Sequence, residues 1–276
     1  MSSGINTDVT VERLDGYLMR NNNLIFPHRH SFYQFLLFTQ GGGQHAIDFE
    51  VFDVEAWQIY FMSPGQIHSW SFEGTMKGYV VNFDKDIFKT LLINPDYLSL
   101  FSFFSGLVKD GVFVVDTDKR EVVCNVLEKM LWYVEDKGLI SASLLYLFHL
   151  LEADREQSTN FEANRYNHTL LRNFLQLIEL NYKELRLPKD YAALLYITPN
   201  HLNALCKEFL GLSTGEVIRN RIILESKRLL VIRDFSIAEI AYELNFNDNS
   251  YFTKFFKKIE GITPEEFRKK NYNYGK

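Results

Sequence analysis

Apolar residues change their spacing twice along this chain. Up to about residue 115 they come in short runs broken by turn residues. Phe32-Tyr-Gln-Phe-Leu-Leu-Phe-Thr39 ends at Gly41-Gly42-Gly43, Trp57 to Met62 ends at Ser63-Pro64-Gly65, and Tyr79-Val-Val-Asn-Phe83 follows. Many short strands separated by Gly and Pro turns predict a barrel or jelly roll. From Thr117 the period becomes helical. Val123, Leu127, Met130 and Val134 follow a four-three-four spacing on a helix over 117–136, and a second, more fully apolar helix is predicted over Ser141–Leu151. The stretch from Glu152 to Asn164 is polar, loses the pattern and is expected to be a linker. From Tyr166 onward the chain reads as helical throughout, beginning with Leu170, Leu171, Phe174, Leu175 and Ile178 on one face.

The helical half punctuates itself. Ser236 with Glu239 forms a capping box, so a helix begins there, with Ile237, Ile240, Ala241 and Leu244 as its buried stripe. Asn245 stands at a corner that needs a left-handed backbone, which Asn tolerates better than most residues. Asp248 caps the next helix, whose apolar positions are Tyr251, Phe252, Phe255, Phe256 and Ile259, and Gly261 ends it. Thr263-Pro-Glu-Glu266 starts one more helix with a second capping box. The same plan occurs earlier. Ala192 precedes Ala241 by 49 positions, whereas Lys207 and Gly211 precede Lys257 and Gly261 by 50, so the later copy carries one extra residue in its turn. Between the copies, Ser213 and Glu216 cap a helix that runs to about Ile232. At 1.5 Å per residue it is a rod of roughly 25 Å.

A short helix, a tight corner and a second helix with one apolar face and one Asn/Ser/Thr/Lys face is the arrangement of a helix-turn-helix. The run from Ser236 to Arg268 closely resembles the second helix-turn-helix of AraC-type transcription factors, departing at Asn245, where the family pattern has Gly, and at Lys254, often Arg. Lys keeps the charge without the rigid fork that pairs twice with guanine. Ser226 stands where family members usually have Ala. The resemblance implies a double-stranded promoter DNA partner, read by Asn200, His201, Asn203, Ala204 and Lys207 in the first unit and by Asn249, Ser250, Thr253, Lys254 and Lys257 in the second. On the connecting helix, Arg219, Arg221, Lys227 and Arg228 are candidates for phosphate contacts.

Charge agrees with that division. Residues 161–276 hold 18 Lys and Arg against 14 Asp and Glu, a net +4, while residues 1–160 hold 12 against 21, a net −9. A polyanion partner therefore fits the second half only. Cys124 and Cys206 lie far apart and neither has a neighbouring Cys, so no disulfide framework or zinc finger is expected. No apolar run reaches the roughly 18 residues of a membrane span, and the start of the chain lacks the apolar core of a signal peptide, so a cytoplasmic protein with no membrane partner is expected.

In the first half, His28-x-His30 is followed by Gln34 and later by Pro64-Gly65-x-x-His68. This resembles the two motifs of the cupin barrel, which supply His, His, Glu and His in metal-binding members. Here Gln34 takes the Glu position, and an amide is a poorer ligand for a divalent metal than a carboxylate. Neither metal nor cofactor is expected on that ground. AraC-type regulators commonly carry such a barrel as a sensor, which makes His28, His30, Gln34, His68 and Trp70 the expected lining of a small-molecule effector pocket. The resemblance also implies a homodimer, for which Val123, Leu127, Met130 and Val134 form the candidate seam, and RNA polymerase as a partner of an activator.

The expected architecture is α+β and multidomain: a cupin-like sensor barrel with flanking helices over 1–152, a linker over 153–165, and an all-α DNA-binding domain with two helix-turn-helix units over 166–276. The expected function is regulation of transcription rather than catalysis. The alternative is a cupin-type metal-dependent oxygenase or isomerase with a DNA-binding tail.

Overall fold

The central strand of the first half, β3 (Tyr33–Gln40), is almost continuously apolar because both of its faces are buried. A computed structural model of the protein describes residues 9–21, 26–92, 95–157, 165–232 and 235–271, and the chain divides into two units, Met1–Phe161 and Glu162–Lys276. In the first, β3 lies in a five-stranded sheet with β1 (Val9–Arg13), β6 (Gln58–Met62), β8 (Lys77–Phe83) and β9 (Val112–Val114), in the order β1-β8-β3-β6-β9. A second sheet has the order β2-β7-β4-β5, from β2 (His28–Arg29), β4 (Gly43–Ile47), β5 (Glu50–Asp53) and β7 (Ile67–Phe72). All of these pairings are antiparallel.

Strand alternation sends the two faces of β3 into different cores. Phe35 and Leu37 face outward and join Phe61, Val81 and Phe83 under two helices, α2 (Arg120–Trp132) and α3 (Lys137–Gln157). Phe rings fill this layer, Phe61 stacking on Phe103 with centroids 3.9 Å apart. Leu36 and Phe38 face inward and pack with Tyr60, Met62 and Val80, with Ile47 and Trp70 of the other sheet, and with Leu14 and Tyr17 of α1 (Leu14–Arg20). This inner core makes the unit cupin-like.

Two expectations are corrected here, and one element is new. The Val123 stripe is no dimer seam: Val123, Leu127 and Met130 are 0–1% exposed in the single chain and Val134 packs against the same core, because the spacing that suits a two-helix seam also suits a helix lying on a sheet. The linker does not begin at 153, since α3 runs to Gln157; Ala153, Arg155, Glu156 and Gln157 are good helix formers despite their polarity. The remainder of the expected linker, 158–164, lies outside the described residues. α1 was not foreseen; its seven residues are too few for a periodic signal.

Gly78 sits opposite Phe38, beside a bulge in the β3–β8 pairing, with φ +151. A Cβ there would lie 1.8 Å from the Leu37 carbonyl oxygen, far inside van der Waals contact with a backbone atom that cannot step aside. We expect Gly78→Ala to destabilise the first unit by on the order of 4 kcal/mol or more, read as loss of its near-UV circular dichroism. Gly74→Ala, where nothing lies within 4 Å, costs only the left-handed backbone penalty of about 1–2 kcal/mol.

Among its described residues the regular elements of the second unit are all helices: α4 (Arg165–Asn181), α5 (Pro188–Leu194), α6 (Pro199–Leu210), α7 (Thr214–Ile232), α8 (Ile237–Glu243), α9 (Asn249–Glu260) and α10 (Pro264–Asn271). Its core joins Phe174, Tyr191, Ala192, Leu202 and Cys206 to Ile218, Ile240, Ala241, Phe252 and Phe256, so one continuous core holds both halves of the duplication.

Candidate nucleic-acid interface and effector site

The two turns of the helical unit are built alike. Tyr196 and Asn245, 49 positions apart, both have φ +56. The Ile197 N–H reaches the Ala192 carbonyl at 3.0 Å, and the Phe246 N–H reaches the Ala241 carbonyl at 2.9 Å. Each turn thus closes with the same helix-ending pattern of backbone hydrogen bonds. The second helices start 50 positions apart, at Pro199 and Asn249, which confirms the extra residue in the later turn. Thr198 caps α6 and Asp248 caps α9, and both helices end on a left-handed Gly, Gly211 and Gly261. The capping boxes at Ser236/Glu239 and Thr263/Glu266 form. Hydrogen bonds from the backbone N–H and the hydroxyl of each capping residue hold Glu239 and Glu266 below the usual carboxylate range.

Asn200, His201, Ala204 and Lys207 are exposed on α6, and Asn249, Ser250, Lys254 and Lys257 are exposed on α9, with Thr253 half-buried. Asn203 is half-buried and differently employed. Its Oδ1 accepts from the Thr214 N–H at 3.1 Å, tying α6 to the start of α7. Bidentate pairing with adenine needs both that oxygen and the amide NH2, so Asn203 is not free to make it. Tyr251, expected to be inside, is 61% exposed, while Phe252 and Phe256 are fully buried.

The connecting helix corrects three more expectations. Arg221 is held by Glu179 at 2.7 Å and by Glu225 at 3.2 Å, with its guanidinium 4.1 Å from the Tyr182 ring centre. Arg228 is 5% exposed and bonded to Glu225, and Lys227 pairs with Glu260 at 3.0 Å. These cations hold the unit together. Arg219 alone of the four is exposed. Ser226 is fully buried and returns its hydroxyl to the Ile222 carbonyl at 2.8 Å, which lets it stand in a tightly packed position. Arg186, which sequence reasoning missed, donates to the carbonyls of Leu244 and Asn245 and lies 4.0 Å from the centre of the Phe246 ring. It clamps the second turn from the segment before α5. No local signal marks it, because its partners lie 58 and 59 positions away.

In the first unit the structure gathers the predicted histidines. His28 pairs across strands with His68, their ring centroids 4.2 Å apart, and the His30 Nε2 lies 3.0 Å from the His68 Nε2. One ring nitrogen from each of the three lies within 4.8 Å of the others. His45, which sequence reasoning did not nominate, is fully buried beside them, its Nε2 3.2 Å from the His68 Nδ1. The Gly41–Gly43 break followed by the alternation through Ile47 could have placed it on the inner face. Burial, then the charge of neighbouring His28, pushes His30 down to about 4. Burial likewise holds His28 below, and His45 and His68 well below, the usual imidazole range. All four are therefore neutral near pH 7.

Gln34 lies on the other sheet. Its Nε2 donates to Asn82 at 2.7 Å, and Asn82 in turn donates to Thr10 at 3.1 Å, a polar row across three strands. The Trp70 ring stands edge-on to His68 and His45, with centroids 5.6 Å from each. Among the described residues, four buried polar atoms in this inner region have no hydrogen-bond partner within the protein: His28 Nε2, Gln34 Oε1, His45 Nδ1 and Trp70 Nε1. Buried polar atoms are nearly always paired, so these four make the inner region the polar part of the barrel interior.

The comparisons with known proteins fall on the same two regions. Residues 15–175, more than half of the chain, match the model of the AraC-like ligand binding domain, and residues 191–270 match a helix-turn-helix domain. The chain belongs to the AraC family of transcriptional regulators. Among its relatives in the family, the transcriptional regulatory protein YesN of Bacillus subtilis is 30% identical over 53% of this chain, but the match spans only 40% of YesN. The regulatory protein PocR of Salmonella typhimurium is 33% identical over 31% of the chain and 28% of its own length. The transcriptional activator RhaS of an Enterobacter is 23% identical over 88% of this chain and 87% of its own. Among solved structures, ToxT from Vibrio cholerae O395 aligns over 95% of this chain and 97% of its own at 14% identity, with a TM-score of 0.45.

Proposed function

We propose that the protein is a sequence-specific DNA-binding transcriptional regulator whose inner barrel region takes a small-molecule effector. The observation that carries the DNA reading is the duplication: two turns with the same backbone geometry, each presenting an exposed polar helix face from one shared core. On this reading residues 166–276 form the DNA-binding domain and residues 1–152 the sensor. Asn200, Asn249, Ser250 and Lys254 face base edges, and Lys207 and Lys257 lie on phosphates. α7 has 19 residues, about 28 Å at 1.5 Å each, and so spaces the two units for successive major-groove segments. The named relatives are regulators, and the oxygenase alternative draws no support from them. Activation through RNA polymerase and a homodimer, built on a face other than the Val123 stripe, complete the proposal. No helix among the described residues is long and apolar enough to cross a membrane, which suits a cytoplasmic protein.

Genome-wide binding of the tagged chain, compared with a variant lacking residues 166–276, tests this. Discrete sites that vanish in the truncation support it; their absence under every growth condition overturns it. Within such a site, Asn249→Ala is expected to relax the preference at one base pair by about 1–3 kcal/mol. Equal loss on specific and random DNA would remove Asn249 from the base-reading set.

A further inference from the structure

α6 and α9 can be compared position by position, because they have the same length and nearly the same order of buried and exposed residues. An offset of 50 pairs Asn200 with Ser250, Ala204 with Lys254, Lys207 with Lys257 and Glu208 with Lys258, all of them exposed. Leu202 and Cys206, like their counterparts Phe252 and Phe256, are fully buried in the shared core. Paired positions therefore stand at corresponding points of the two outer faces. The chemistry of those faces is unequal. α9 exposes Lys254, Lys257 and Lys258, whereas α6 exposes Lys207 beside Glu208. At the centre of the face, α9 has the long cation of Lys254 and α6 only the methyl of Ala204. Asn203 does not make up the difference, since its Oδ1 is occupied by the Thr214 N–H at 3.1 Å. The counterpart of Thr214 is Pro264, which has no N–H, so Thr253 meets no such demand.

We propose that the two helices read different base chemistry, with Ala204 and Lys254 as the specificity-determining pair. α6 takes a segment of A·T pairs, and α9 takes a segment that contains a guanine. This inference rests on the reading of the second unit as a DNA-binding domain. A methyl neither donates nor accepts a hydrogen bond. The group in the major groove that gains from contact with the Ala204 methyl is the C5-methyl of thymine. Adenine and guanine present N7 there and cytosine its N4 amine, and each would lose water against a methyl without a new partner. Asn200, one turn earlier on the same face, has both an amide oxygen and an NH2 to pair with adenine. On α9 the Lys254 ammonium donates to guanine O6 and N7, with Asn249 pairing an adjacent adenine. Three exposed lysines on α9, against one lysine beside one glutamate on α6, also place most of the salt-dependent attraction to phosphate on α9. The operator is thus expected to be two unlike segments, and the chain to lie on it in one direction.

Selection of sites by the full chain from a pool of random duplex DNA tests this, with Ala204→Lys and Lys254→Ala selected in parallel. Both positions are exposed, and thermal melts verify that each variant folds. The unaltered chain should select two segments about one helical turn, roughly 10 bp, apart. One should hold A·T pairs only and the other a guanine. Lys254→Ala should lower the guanine preference at least about fivefold and leave the A·T segment as it was. Ala204→Lys should put guanine where the A·T segment had thymine. In the site selected by the unaltered chain, uracil in place of that thymine removes only the C5-methyl and should weaken binding about fourfold. A single selected segment, guanine in both segments, or an Ala204→Lys selection identical to the original overturns the division between the helices and leaves the protein a DNA-binding regulator. A uracil site bound as tightly as the thymine site overturns it whatever the variants do. If the unaltered chain enriches no sequence, the regulator reading fails and this inference fails with it.

Discussion

Exchanging Lys254 and Lys257 together for Glu is expected to lower affinity for target DNA by about two to three orders of magnitude. Both side chains are exposed on α9. A base contact of the kind proposed for Lys254 contributes about 1–3 kcal/mol, and each lysine that neutralises a phosphate also releases a counterion. Reversal of the charge removes these terms and adds repulsion. The measurement is fluorescence anisotropy at several salt concentrations. The slope of log affinity against log salt should fall by about one for each lysine seated on phosphate. Lys257 also lies in the last turn of α9, where a cation is favoured; losing it there costs about 0.3–1 kcal/mol, too little to unfold the helix. An unchanged salt slope would place some other face of the protein on DNA.

The largest expected loss of stability from a single helix position is that of Phe252→Ala, about 3–5 kcal/mol. Phe252 is fully buried, edge-on to Phe246 at 5.1 Å and near Phe256 at 6.1 Å. It therefore fastens α9 to the turn that orients it, and Arg186 covers the Phe246 ring in the same cluster. Against a typical domain stability of about 5–15 kcal/mol, such a cavity takes a large share. Urea denaturation should show the C-terminal transition moving to a lower midpoint while the N-terminal one stays in place. Tyr251→Ala, one residue earlier and 61% exposed, is expected to change stability by about 0.5 kcal/mol or less. A Phe252→Ala effect as small as that of Tyr251→Ala would mean that α9 does not pack as described.

Both experiments depend on which side of α9 each residue occupies, and the spacing of apolar residues determines only part of that. Tyr251, Phe252, Phe255 and Phe256 are all apolar by composition. A helix rotates by about 100° per residue, so Tyr251 and Phe252 point to different sides, and only the neighbours decide which side is inside. The structure buries Phe252 and leaves Tyr251 exposed.

What the sequence by itself determined was local. The caps at Thr198, Ser236, Asp248 and Thr263, the left-handed corner at Asn245, the terminal glycines Gly211 and Gly261, and the extra residue in the second turn are all interactions between residues a few positions apart. Their identity and spacing suffice to specify them. The strands near Tyr33, Gln58 and Lys77 were legible for the same reason, as runs bounded by turn residues. What only the tertiary structure decided were partnerships across distance. The stripe at Val123 covers a sheet instead of a second copy. Arg221 and Arg228 answer to Glu179 and Glu225 instead of phosphate, and Asn203 caps α7. Arg186 reaches 58 residues to clamp a turn, and His45 crosses from β4 to join the histidines of two other segments. A charged, amide or imidazole side chain carries the same chemistry whether it meets solvent, DNA or its own chain. Which of these it meets is set by how the elements pack, and the spacing of residues along one element does not contain that information.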